Sequence, residues 1–315
     1  EREGGFKIAL NILNSGRIKL AAGSIGGAKF SLNKAITYGI ERKQFGKSIA
    51  EFAAMKHKMG EMARKIFAAE SAIYRTGKNI DSKESELKKE GKSENEVKLE
   101  ALREFAIECA MMKVYSTEVL DYCVDESLQI HGGMGYSAET GVEMGYRDAR
   151  ITRIYEGTNE INRMLAFAEL MKRAFKTKEL NLKEAGKKIP ITLLKRFLRM
   201  QKLTSEKVIE NYKHLFLILS KYAFDAFGME LENEQEIIMN LSDILTETYV
   251  AESVYLRVHK LKEQKGSNGT IQQKENVLAL QLYEANIKIV HCANTIVDSL
   301  PDTKNKTLRY YIKPV

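Results

Sequence analysis

The stretch Arg153–Arg163 reads RIYEGTNEINR. One carboxylate, Glu156, stands between Tyr155 and the Gly157–Thr158 pair, at the junction of two helical patterns. The plain reading of such a residue is a surface acid; the alternative is an acid that faces a ligand passing close to the bare backbone of Gly157. Two other stretches invite the same question. ERKQFGKSI (41–49) presents Arg42, whose planar guanidinium gives the paired donors that suit a phosphate. QIHGGMGY (129–136) holds Gly132, Gly133 and Gly135, too many for a helix interior; a turn there exposes N–H groups to a ligand. Each has an ordinary alternative: Arg42 as a surface residue ending a helix, the glycines as a plain turn. In NSGR (14–17), Asn14 reads as a cap for the helix that follows.

These residues need a scaffold, and apolar spacing supplies one. Ile18, Ala21, Ile25, Ala28, Leu32, Ile36 and Ile40 step by three and four. So do Phe52, Met55, Met59, Met62, Ile66, Ala69 and Ile73, a stripe read as core filling. Leu102, Phe105, Cys109, Met112, Val119 and Cys123 predict a third long helix. Stripes of this length make a helical bundle. Gly23, Gly26 and Gly27 weaken the first helix, which close approach of a neighbouring backbone or tight packing would justify. Residues 80–97, highly charged, read as a solvated, partly helical excursion, and Ser93 with Glu96 as a capping box. Further helices follow Pro190. Leu241, Ile244, Thr248, Ala251, Tyr255 and Val258 mark one; Leu278, Leu282, Ala285, Ile289, Cys292 and Ile296 mark another; 262–273 reads as the loop between them. No period-two strands and no short repeats stand out.

At 315 residues, 44% hydrophobic and 29% charged, the chain suits one large or two medium globular domains. Its three prolines begin only at Pro190, which favours long helices before it. No apolar run is long enough for a spanning helix. The charged start, EREGGFKIAL, lacks a secretory pattern and an initiator Met, and reads as a chain cut inside a longer protein. Three cysteines without CxxC spacing fit a reduced interior, hence a cytoplasmic setting, and five scattered histidines give no metal-binding pattern. The net charge of +8 is uneven: ten basic residues and two acids fall between Lys172 and Arg199. That run reads as a solvated linker, or as a patch for peripheral contact with anionic lipid. Nucleic acid is disfavoured, since no binding motif accompanies the charge.

The segments ERKQFGKSI, QIHGGMGY and RIYEGTNEINR, in that order, spacing and helical setting, resemble the C-terminal part of acyl-CoA dehydrogenases. The resemblance covers roughly residues 4–172. The chain beyond about 190 looks like the extra helical domain of the very-long-chain branch. The implied fold is all-α: an up-down four-helix bundle over 1–172, a basic linker over 173–190, and a second, smaller helical domain over 191–315. The N-terminal helical and middle β domains of that family have no counterpart here.

The resemblance implies FAD-dependent α,β-dehydrogenation of an acyl-CoA thioester, with long chains favoured and electrons passing to an electron-transfer flavoprotein. Such a reaction needs a base of elevated pKa in a dry pocket and hydrogen bonds that polarise the thioester carbonyl. The resemblance puts the base at Glu156, with its backbone N–H as the donor to that carbonyl and Gly157 giving the acyl chain room. Arg42, Lys43, Gln44 and Phe45 would approach the FAD pyrophosphate and adenosine. Gln129, Gly132 and Gly133 would meet the same end of the cofactor, and Thr158 and Glu160 would add contacts. Glu160 departs from the Gln of some members and suits a ribose hydroxyl better than a phosphate. Asn14 and Arg17 would meet substrate, Arg17 near the CoA moiety. FAD would lie between this bundle and the missing β domain, its adenosine end reaching a neighbouring subunit, so a homo-oligomer, a dimer, is expected. Competing readings are an acyl-CoA oxidase on the same scaffold, or a non-catalytic helical module working at a membrane surface through 172–199. The presence of Glu156 argues against a flavin monooxygenase.

Overall fold

The computed structural model describes residues 2–177, 203–266 and 269–301. The chain divides into two compact units, residues 1–162 and 163–315. Of the basic segment 172–199 and the expected linker 173–190, everything from residue 178 onward lies outside the described residues.

The first unit opens with the 40-residue helix α1 (Arg2–Glu41). A two-residue antiparallel hairpin follows, β1 (Lys43–Gln44) and β2 (Lys47–Ser48). Next come α2 (Ala53–Lys89), α3 (Glu94–Glu104) and α4 (Ala106–His131). A four-residue turn of helix, α5 (Gly133–Tyr136), leads to α6 (Val142–Ile151). Helix α7 (Asn159–Thr177) begins in this unit and runs on into the second.

Helices α1, α2 and α4 run up, down and up. Residues 27 and 120 meet on α1 and α4, where Leu120 Cδ1 lies 3.0 Å from the position a Cβ on Gly27 would take. Further along the same two helices Tyr38 stacks on His131 at 4.2 Å, so the pair is parallel. Lys29 pairs with Glu70 and Lys58 with Glu126, which sets α2 antiparallel to both. Helix α6 is the shorter fourth member, and Arg153 just beyond it pairs with Asp121 of α4 at 2.9 Å. The expected stripes point inward where the bundle is thickest: Ala21, Ile25, Ala28, Met62, Ile66, Ala69, Met112 and Val119 are buried. Ile36 and Ile40, at the end of the first stripe, are exposed instead.

Several boundaries differ from the sequence reading. Helix α2 continues to Lys89, so 80–89 is not an excursion; only Glu90 to Ser93 turn. Ile80 and Leu87, seven residues apart on one face, are buried with Val97, Ala101 and Cys109, and Ile18 and Phe105 pack against them. Two apolar side chains are enough to lay an otherwise charged helix on the bundle. The Ser93–Glu96 capping box forms as expected, with Glu96 also accepting from the Ser93 N–H at 3.0 Å. The stripe read as one third helix breaks at Phe105, whose φ of −102° and ψ of 27° separate α3 from α4. Of Gly23, Gly26 and Gly27 in α1, Gly27 meets Leu120, whereas Gly23 and Gly26 face open space.

The second unit contains α8 (Ser205–Phe227), α9 (Gln235–Lys265) and α10 (Gly269–Ser299). The expected loop 262–273 is mostly helix, since α9 and α10 extend into it from both sides. Leu219, Leu241, Ile244, Ile289 and Ile296 form a fully buried interior, with Phe167 of α7 edge-on to Phe216 at 6.4 Å. Tyr212 is buried and donates its hydroxyl to the Leu282 carbonyl at 2.8 Å, which satisfies the polar end of an otherwise apolar side chain. Among the described residues no helix is long and apolar enough to cross a membrane.

Cys109, Cys123 and Cys292 are free and buried, and burial pushes each thiol up to about 12. A raised native pKa contributes stability that is complete below the unfolded thiol pKa, about 8.5, and is lost as pH climbs toward 12. A disulfide-exchange reagent at pH 8 should therefore find no fast thiol in the native chain and all three after denaturation. The melting temperature should fall between pH 9 and 11. A native thiol titrating at the free-cysteine rate would contradict this packing.

Candidate active site

The loop from Thr152 to Thr158, between α6 and α7, carries Glu156 across the faces of α1 and α4. Its backbone is unusual: Glu156 has φ 58° and Gly157 φ 80°. A left-handed conformation costs a residue with a side chain about 1–2 kcal/mol, so something must hold Glu156 there. The loop closes on itself through the Asn159 N–H, which donates to the Arg153 carbonyl at 3.1 Å.

Three buried side chains hold the rest. Arg17 of α1 donates from Nε to the Glu156 carbonyl at 3.3 Å and from Nη1 to Asn14 Oδ1 at 2.9 Å. Lys113 of α4 donates from Nζ to the Gly157 carbonyl at 2.8 Å and to Asn159 Oδ1 at 2.7 Å. Asn162 of α7 spreads its Nδ2 over the carbonyls of Glu156, Gly157 and Thr158 at 3.3, 2.7 and 3.0 Å. All three consecutive carbonyls are thus drawn inward. The N–H groups of Glu156, Gly157 and Thr158 meet no acceptor among the described residues. The loop is a short run of backbone with its acceptors satisfied and its donors free, which is what an oxyanion or a polarised carbonyl requires.

The Glu156 carboxylate lies on α1 over Gly16. A Cβ built there would sit 2.6–2.7 Å from both carboxylate oxygens and their carbon, closer than any real side chain tolerates. Gly16 therefore makes room for the acid. Glu156 is half-buried, and the large apolar side chains Tyr155, Ile161 and Ile12 (one turn of α1 before Gly16) are exposed nearby in the chain. Burial lowers the pKa of Arg17, opposed by Cys109 and then by Glu156. Burial likewise brings Lys113 down to about 8, against the attraction of Glu160.

The other expected residues gather elsewhere. Arg42, Lys43, Gln44 and Phe45 form the exposed hairpin after α1, braced by Ser48 Oγ donating to the Gly39 carbonyl at 2.7 Å. Phe45 is 92% exposed and, at φ 51°, holds a left-handed turn position. Gln129, Gly132 and Gly133 lie at the end of α4, next to this hairpin through the Tyr38–His131 stack. Gly132 has φ 59°, and a Cβ at either glycine would meet nothing. Arg42 has no ion-pair partner among the described residues. An exposed arginine, two nearby lysines and an open glycine turn fit the pyrophosphate of a dinucleotide.

The two groups do not meet within one chain. Gly16 lies in the first half of α1 and the hairpin follows its C-terminal end, roughly 37 Å away at the rise of an α-helix. Thr158 and Glu160 stay with the first group; Thr158 Oγ1 caps α7 by accepting from the Ile161 N–H at 3.3 Å, and Glu160 is exposed. An open depression of about 680 Å³, lined by Asp125, Tyr146, Arg147, Ile151 and Ile154 among others, includes none of the expected residues. Among the described residues no three metal-ligating side chains cluster.

One expectation needs correction. Asn14 does not cap a helix, because α1 passes through it; its side chain receives Arg17 instead. Arg17, expected near the CoA moiety, is 3% exposed beneath the loop, with its donors directed to Asn14 and the Glu156 carbonyl. Sequence reading missed Gly16, Lys113, Asn159 and Asn162. Lys113 left one signal, a lone charge within CAMMKVYST (109–117).

Comparison with known proteins gives one consistent family. The family profile described as "Acyl-CoA dehydrogenase, C-terminal domain" matches residues 3–171, and a second profile of the same description matches 211–311. A protein of Bacillus subtilis named "Probable acyl-CoA dehydrogenase" is 38% identical over 276 residues, 85% of this chain and 46% of its own length. The "Very long-chain specific acyl-CoA dehydrogenase, mitochondrial" of Bos taurus is 37% identical over 178 residues, 56% of this chain and 24% of its own length. The crystal structure titled acyl-CoA dehydrogenase complexed with FAD, from Bacillus anthracis, superposes with a TM-score of 0.86 at 35% identity, over 98% of this chain and 54% of that one. The chain thus spans about half the length, or less, of the relatives it matches. With matches to both helical regions and this all-α fold, the chain belongs to the acyl-CoA dehydrogenase family.

Proposed function

We propose that this chain forms the C-terminal part of an FAD-dependent acyl-CoA dehydrogenase and that Glu156 is its catalytic base. The observation that carries this is the carboxylate seated over Gly16, on a loop whose carbonyls are tied and whose N–H groups are free. A thioester carbonyl received by the Glu156 N–H would have its α carbon acidified beside the carboxylate. The α proton passes to Glu156, a Cα–Cβ double bond forms, and a hydride departs from the β carbon. Bound FAD supplies the acceptor for that hydride. Gly157 leaves space at the backbone, and Tyr155, Ile161 and Ile12 give apolar surface for the acyl chain. Arg17 acts under this reading by fixing the loop, not by binding CoA.

The distance between the two groups bears on assembly. The hairpin with Arg42 and the glycine turn at Gly132–Gly133 stand too far along α1 from Glu156 to serve the same flavin in one chain. We read them as holding the adenosine end of the flavin bound by a second copy, which makes the working unit at least a dimer. Long acyl substrates are proposed from the second helical unit and the very-long-chain relative. An electron-transfer flavoprotein as acceptor follows from the family reading; oxygen consumption on acyl-CoA would favour an oxidase instead.

The base is tested by Glu156→Gln in the complete enzyme, where flavin bleaching by acyl-CoA should slow by about 10²–10⁴; normal bleaching would remove the assignment. Gly16→Ala gives an independent check. The added methyl displaces a flexible carboxylate, so the variant should fold and even gain up to about 1 kcal/mol of helix stability. It should nevertheless bleach at least about tenfold more slowly, as general-base geometry demands. The chain alone, which spans about half the length of its relatives, should purify without stoichiometric flavin absorbance; a full complement of bound flavin would show that these residues suffice to hold the cofactor.

A further inference from the structure

We propose that Lys113 is a positioning residue for the Glu156 base, bracing the loop through Gly157 and Asn159 so that carboxylate and free N–H groups face outward. The inference deepens the reading of Glu156 as base and rests on it.

Lys113 is 0% exposed, in a helix whose neighbouring positions are apolar or small. An ammonium group so placed is costly unless its hydrogens are used. Its acceptors are the Gly157 carbonyl of the loop at 2.8 Å and Oδ1 of Asn159, the first residue of α7, at 2.7 Å. These hold the backbone before Thr158 and the side chain of the residue after it. Asn159 is itself fixed, its Nδ2 donating to Thr117 Oγ1 at 3.2 Å and Glu118 Oε1 at 3.3 Å, one turn along α4. Its backbone N–H makes the bond that closes the loop on Arg153. The arrangement is therefore a continuous path from the rigid interior of α4 to the residue adjoining the base.

The other holds are neutral or longer. Asn162 also reaches the Gly157 carbonyl, at 2.7 Å, but its amide is neutral and its two hydrogens serve three carbonyls. Arg17 reaches only the Glu156 carbonyl, at 3.3 Å. Lys113 supplies the short, charge-assisted bond at the glycine, the position with the greatest freedom to swing. It makes no hydrogen bond to the Glu156 carboxylate, so it acts through the backbone and not on the reacting atoms.

Lys113→Met keeps the length of the side chain and removes its donors. Hydrogen exchange at the Asn159 amide, measured in this chain, reads the loop-closing bond directly. It should quicken by about tenfold or more, the scale of one lost charge-assisted bond, while amides of α4 from Val119 to Val124 change by less than about twofold. In the complete enzyme the rate of flavin bleaching at saturating acyl-CoA should fall about tenfold, with KM within about threefold, as expected when geometry rather than binding is lost. Lys113→Gln, a shorter donor, should fall between the two, and serves if the Met variant does not fold. Unchanged Asn159 exchange in a folded variant overturns the proposal. So does a uniform loosening of α4, or failure of both variants to fold, since either marks a merely structural lysine. Glu156→Gln run in parallel separates the two readings. Intact bleaching there defeats the base assignment, whereas its loss beside an unchanged Lys113→Met variant defeats the lysine alone.

Discussion

Everything at this site depends on one constraint: three consecutive carbonyls, of Glu156, Gly157 and Thr158, must be pulled into the bundle. A peptide chain that buries its acceptors on one side presents its donors on the other. Asn162, Lys113 and Arg17 do the pulling, from α7, α4 and α1 respectively. The same pull stabilises the two left-handed residues, one of which, Glu156, has no glycine's freedom to adopt that state. The bundle is therefore more than a support. It is the source of the buried polar groups without which the loop would relax and the acid would turn to water.

The long parallel pair α1 and α4 explains why the functional residues fall into two groups. One end of the pair holds Gly16 and Lys113, and the other holds the Arg42 hairpin and the glycine turn, joined by the Tyr38–His131 stack. Helices of this length cannot bend their ends together, so the proposed flavin, needing both ends, would find them on different copies. Under the proposed flavin site, the length that the absence of early proline permits would bear on assembly.

Much of this was legible in the sequence. The 3/4 stripes located α1, α2, α4, α9 and α10, because burying one face leaves a periodic record. The Ser93–Glu96 pair located the start of α3, because a cap is local chemistry. What failed were features set by partners distant in the chain. Ile80 and Leu87 were lost among charges, since only their burial against Val97 and Cys109 makes them core. Gly16 carried no local sign of its role, because its purpose is the carboxylate of a residue 140 positions away. Lys113 was visible as an oddity in an apolar run, but its acceptors on the 157–159 segment are known only from the fold. Arg17 was placed near CoA only by the resemblance, and its hydrogen bonds to Asn14 and the Glu156 carbonyl are known only from the fold.

The central claim is that the free N–H groups of the loop receive the thioester carbonyl beside Glu156. The most direct measurement is the isotope-edited infrared spectrum of a carbonyl-labelled, non-reacting acyl-CoA analogue bound to the complete enzyme. The account predicts a carbonyl stretch at lower frequency than in water, moving back toward the water value when Lys113 is replaced by Met. A bound carbonyl that absorbs where it does in water would contradict the account.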